Sequence, residues 1–140
     1  MNTLTASMLA GLVVAGHQAQ AVEVWLAGGG DPTARAANTS DFLALFEPGA
    51  PWSTAASKIG VLQVTTQFIV KGSDGDLVKT FQGLEARKIS LAVGVGLLYG
   101  GGHCGYHVEG YAAQHTARLL ATRIKKLGGT LAYVSLDEPL

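Results

Sequence analysis

The chain has 140 residues, ten basic and ten acidic side chains, and 48% apolar residues. That is enough apolar material for one domain with its own core, which excludes a disordered chain. Balanced charge argues against a nucleic-acid binder, because phosphate recognition needs a clustered surplus of Lys and Arg.

Cys104 is the only cysteine and can make no internal disulfide, so the compartment has to be read from the N-terminus. Leu9 to Ala15 is an apolar run of small residues, too short to span a bilayer. Ala19 and Ala21 then give the small-x-small pattern that signal peptidase reads. Residues 1–21 are expected to be a signal peptide, although Met1 to Ser7 carry no Lys or Arg. The domain, residues 22–140, then begins directly in a strand, and the protein is expected to be periplasmic or extracellular.

Val22 to Ala27 combines β-branched and aromatic residues and is closed by Gly28-Gly29-Gly30-Asp31-Pro32, which predicts a strand and then a loop. Ser40 or Asp41 can cap a short helix carrying Phe42, Leu43 and Phe46, terminated by Pro48 and Gly49, with a further helical turn from Ser53 to Lys58. Ile59 to Thr65 predicts a second strand that continues through Thr66-Gln67-Phe68 into a loop. The next helix sets Leu77, Phe81 and Leu84 on one stripe, with Arg87 and Lys88 in its last turn.

Ile89 to Val95 predicts the third strand, followed by a glycine-rich loop to about Gly110. A helix from Tyr111 to Leu127 then presents Leu120, Ile124 and Leu127 on one face, and Gly128-Gly129 supply a left-handed stop. Its basic end, Arg123-Ile124-Lys125-Lys126, is read as offsetting the helix dipole. The fourth strand begins at Thr130. Strands separated by helices must pair in parallel, and near-continuous apolar strands predict that both sheet faces are covered. The predicted fold is α/β, four parallel β/α units, which is half of a TIM-type (β/α)8 barrel or a small open sheet.

Polar residues concentrate after the strands. Asp31 follows the first, Gln67 the second, His103, Cys104, His107 and Glu109 the third, and Asp137 and Glu138 the fourth. In parallel α/β folds these ends share one face, where sites are assembled. A carboxylic acid at an enclosed rim, beside other carboxylates, can have a raised pKa and serve as a general acid, which singles out Glu138.

Asp137-Glu138-Pro139 after an apolar fourth strand resembles the Asn-Glu-Pro element of the large clan of retaining (β/α)8 glycoside hydrolases. The resemblance implies a carbohydrate substrate, with Glu138 protonating the glycosidic oxygen. Asp137 stands where that clan has an Asn that contacts the sugar 2-hydroxyl. It also implies a nucleophile on a seventh strand, since retaining chemistry needs two carboxyl groups about 5 Å apart. The 140 residues alone are therefore expected to be inactive. They read as a truncated part of a longer barrel, with self-association through open edges as the other way to complete it. Asp31, Gln67, His103, Glu109 and Asp137 are the candidate cleft-lining residues, and no cofactor or metal is expected.

Other readings have less behind them. Gly94-Val95-Gly96-Leu97-Leu98-Tyr99-Gly100 has GxGxxxG spacing with no helix starting directly after it, which is poor geometry for a dinucleotide phosphate. His103-Cys104-Gly105-Tyr106-His107, aided by Glu109 or Glu138, could hold a metal in a metal-dependent barrel enzyme, but no third His or Cys stands at a zinc-ribbon spacing. A non-catalytic carbohydrate-binding or surface protein on the same fold is the non-enzyme alternative.

Overall fold

A computed structural model describes residues 23–33, 38–96 and 115–136. Its elements run β1 (Trp25–Ala27), α1 (Asn38–Ala44), α2 (Ser53–Ala56), β2 (Val61–Thr65), α3 (Thr66–Lys71), α4 (Asp74–Arg87), β3 (Ser90–Val95), α5 (Thr116–Lys126) and β4 (Leu131–Leu136). All adjacent strands pair in parallel, in the order β1-β2-β3-β4, and the sheet is not closed. A sheet whose spatial order follows chain order is wound in one direction, as consecutive strands of a barrel are, and has no switch point of the doubly wound type.

One core holds the sheet to the helices. Leu62, Val64, Leu91, Val93 and Val95 alternate along β2 and β3, and they share a single cluster with Phe42 and Phe46 near α1, Ala56 of α2, Phe68 and Ile69 of α3, Leu77, Phe81 and Leu84 of α4, and Leu120 and Ile124 of α5. All five helices therefore lie on one face. The other face carries Trp25, Ala27, Val61, Gln63, Thr65, Ser90, Ala92, Gly94, Tyr133 and Ser135, the residues out of phase with the core, and no described helix covers it. Each fully buried Leu or Phe in the core contributes about 2–4 kcal/mol against truncation to Ala, so the packing decides which face the helices take.

Local chemistry explains where elements start and stop. Ser73 caps α4 by accepting from the Asp76 amide at 3.1 Å, and Asp74 and Asp76 in the first turn complement the helix dipole. Lys88 closes α4 in the left-handed conformation at φ 58, and Gly128 closes α5 at φ 81. Ser40 and Asp41 lie inside α1 and not at its cap, as the sequence suggested, because the helix begins at Asn38.

The largest local correction is in β2, which ends at Thr65 and does not run on to Phe68. Thr65 is extended, and its hydroxyl accepts from the Phe68 amide at 3.1 Å, so the chain turns directly into α3 and sends Phe68 and Ile69 into the core. A strand continuation would alternate those neighbours to opposite faces; the helix buries both.

A β-bulge shapes the last strand. Leu91 pairs with Leu131, but Ala92 pairs with Tyr133, which leaves Ala132 unmatched. The extra residue reverses the phase of β4. Leu131 packs against the core, whereas Tyr133 takes the helix-free face.

Candidate functional site

The carboxyl ends of β1, β2 and β3 are tied together by backbone and hydroxyl groups. After β1, the Gly28 amide donates to the Gln63 carbonyl at 2.9 Å, and the Gly29 carbonyl accepts from both the Thr65 amide at 3.3 Å and the Thr65 hydroxyl at 2.9 Å. Gly29 sits at φ +64 with Phe42, Val64 and Phe68 side chains all close to where a Cβ would stand, so only glycine fits this turn. On the other side of β2, the Thr66 hydroxyl donates to the Gly94 carbonyl of β3 at 2.8 Å. Two consecutive threonines thus fasten the rim in both directions.

Asp31 stands on this rim, as the sequence indicated. One carboxylate oxygen accepts from the Thr33 amide at 2.9 Å and the Thr33 hydroxyl at 2.6 Å, and the other meets the Lys71 ammonium at the end of α3 at 2.5 Å. The Lys71 hydrogen bond, followed by those from Thr33, lowers its pKa from 3.8 to about 2. Such a carboxylate stays ionised near neutrality. It can accept hydrogen bonds from a ligand, but it cannot donate a proton to a leaving group.

Gln67, the other described candidate, lies in the first turn of α3 with its side chain exposed, not on a continuation of β2. The polar residue that β2 presents on the helix-free face is Gln63, half-buried and in register with Ala92 and Ala27. Sequence reasoning passed over it as an interior residue of an apolar strand. The signal was present: an amide side chain between Leu62 and Val64 must face the side that the core does not fill. His103, Cys104, His107, Glu109, Asp137 and Glu138 lie outside the described residues, as do the signal peptide, the glycine-rich loop from Leu97 onward and residues 111–114 of the expected helix.

The helix-free face is concave. Trp25 of β1 and Tyr133 of β4 meet across it with ring centroids 5.2 Å apart, and the Trp25 indole donates to Glu23 at 3.0 Å. Beside them Val61 and Ala92 are fully buried. Toward the carboxyl ends the face turns small and polar, with Gln63, Thr65, Gly94 and Ser135. A hollow of about 600 Å³ lies beside the carboxyl end of β1 on the side that α1 covers, with Leu26, Asp41, Phe42, Leu45 and Val64 among its walls. A smaller hollow of about 350 Å³ lies at the opposite ends of the strands, among Lys88, Ser90, Gly129 and Thr130. Its walls come from the last turns of α4, the turn after α5 and the first residues of β3 and β4.

Among the described residues no three His, Cys, Asp or Glu side chains group so as to hold a metal ion, and no helix is long and apolar enough to cross a membrane. The basic end of α5 is partly committed elsewhere: Arg123 donates to the carbonyls of Val70 and Gly72 and to Asp74. No family model, no curated protein and no solved structure matches this chain. The fold shown is a four-stranded parallel α/β sheet with its helices on one face and its strand ends gathered into one rim.

Proposed function

We propose that this chain is the N-terminal, four-unit part of a (β/α)8 glycoside hydrolase that acts on a carbohydrate with retention, with Glu138 as its general acid/base. The observation that carries the reading is chain order: four parallel strands follow one another sequentially, and Asp137-Glu138-Pro139 comes directly after Leu136, the last residue of β4. The curl of the sheet away from its helices supports it.

The remaining barrel strands, with the nucleophile, are proposed to come from further β/α units or from a second copy joined at the open edges. Exposed Val24 and Trp25 at one edge and exposed Tyr133, Val134 and Leu136 at the other support such a junction. Export guided by residues 1–21 fits action on an extracellular or periplasmic glycan. A second reading, carbohydrate binding without turnover, is favoured by one feature, the carboxylate of Asp137 where the clan has a neutral amide.

The test is hydrolysis of α- and β-linked disaccharides by the assembled barrel, with the anomer first released followed by proton NMR. Retention of configuration is expected. Inversion contradicts the retaining mechanism, binding without hydrolysis selects the second reading, and absence of both removes the carbohydrate assignment.

A further inference from the structure

We infer that two copies of this chain join head to tail, β4 of each pairing in parallel with β1 of the other, so that the strand ends form one closed ring. The inference rests on the barrel reading above and commits it to a second copy rather than to further β/α units. Without that copy the rim is half built. Three observations carry it.

The first is register. Ala27, Gln63, Ala92 and Tyr133 form one row across the sheet, all on the helix-free face. In a (β/α)8 barrel a row followed once round returns displaced by about eight residues along its strand, so half a circuit accounts for about four. Barrel strands tilt with the right-handed twist of the sheet, and the displacement therefore runs toward lower numbers. The row through Tyr133 then enters the partner's β1 at Glu23. An even displacement keeps inward residues inward, so the seam preserves the alternation of both strands.

The second is what that register brings together. It sets Val134 beside the partner's Val24 and Leu136 beside the partner's Leu26, all on the helix side of the sheet. Val24, Val134 and Leu136 are the three most exposed large apolar side chains among the described residues, at 43%, 45% and 48%. The row was followed on the opposite face, so their meeting is an independent match. Neither β1 nor β4 contains a charged residue or a proline, the usual protection of a free edge.

The third is charge. Among the described residues, 115–136 hold no Asp or Glu, and 23–47 hold no Lys or Arg. Arg118, Lys125 and Lys126 are exposed on α5, which precedes β4, whereas Glu23 before β1 and Asp41 on α1 are exposed at the other edge. Head-to-tail joining brings unlike signs together, while pairing β4 with another β4 gathers cations on both sides of the seam.

The experiment uses the full chain carrying Cys104→Ser, so that introduced thiols stand alone. Sedimentation at micromolar concentration is expected to give twice the chain mass of 14.5 kDa. Val134→Lys is expected to raise the dimer dissociation constant at least about tenfold with an unchanged circular dichroism spectrum. Chains with Val24→Cys and chains with Val134→Cys, mixed and oxidised, are expected to form a disulfide with each other, since paired strands bring Cα atoms within the range of about 4.4–6.8 Å that the bond needs. Neither variant alone is expected to crosslink. A folded monomer overturns the inference and leaves the carbohydrate reading to further β/α units. Crosslinking of Val134→Cys with itself shows β4 paired with β4 and also overturns it. A head-to-tail dimer that neither binds nor cleaves a saccharide supports the inference and removes the carbohydrate reading.

Discussion

Trp25 and Tyr133 sit on the first and last strands of the sheet, yet their rings meet with centroids 5.2 Å apart and planes inclined at 51°. In a flat sheet these strands would stand about 14 Å apart, so the contact requires the helix-free face to curl inward. The bulge at Ala132 is part of the cause, because without it Tyr133 would fall on the same side as Leu131 and face the helices. The curl, in turn, is what turns four strand ends into one rim. A double-mutant cycle of Trp25→Leu and Tyr133→Leu should give a coupling of about 0.5–1.5 kcal/mol in chemical denaturation. Zero coupling would mean that the rings do not hold the curvature.

Thr80 is fully buried on the core side of α4, and its hydroxyl has no partner among the described residues. Replacing it by Val keeps the shape and removes the unpaired group, so Thr80→Val should stabilise the domain by about 1 kcal/mol. The urea midpoint measures it. Destabilisation of similar size would show that the hydroxyl is bonded in solution.

Arg123 joins three elements from α5, donating to the Val70 and Gly72 carbonyls at the end of α3 and to Asp74 at the start of α4. Removing the guanidinium leaves two carbonyls at the α3 terminus unpaired. Arg123→Ala should cost about 2–3 kcal/mol, and Arg123→Lys should recover less than half of that, because an ammonium cannot fork between separate acceptors. Equal stability of the Lys variant and the parent would reduce the contact to simple charge attraction.

Much of this was legible in the sequence. Four strands, their parallel order, the stripe of Leu77, Phe81 and Leu84 on α4, and the glycine stop after α5 all follow from periodicity and punctuation. What escaped were features set by tertiary contact. Thr65 reads as a strand residue until its hydroxyl is seen to cap α3, and Ala132 reads as a regular strand position until the register slips around it. Gln67 lies in the first turn of α3 for the same reason, since only the cap at Thr65 ends β2 before it. Asp31 was found at the rim, but its engagement by Lys71, forty residues away, has no local signature.

The pH dependence of that ion pair follows from its direction. The Asp31 pKa is lowered in the folded chain to about 2 from 3.8. Its contribution to stability is therefore fully present above 3.8 and is lost as pH falls through about 2. Asp31→Asn should be slightly less stable than the parent near neutrality, since both partners are partly exposed, and the gap should close between about pH 4 and pH 2. Urea midpoints at several pH values check this. A gap that stays constant across that range would contradict the assignment.

The central claim, that Glu138 donates the proton to a glycosidic oxygen, is tested most directly by comparing two substrates in the assembled barrel carrying Glu138→Gln. Loss of the acid should lower kcat/KM for an unactivated disaccharide by about 10²–10⁴-fold, with a much smaller effect on bond cleavage in a dinitrophenyl glycoside, whose leaving group needs no proton. Equal rates for variant and parent on the disaccharide, or equal losses on both substrates, would contradict it.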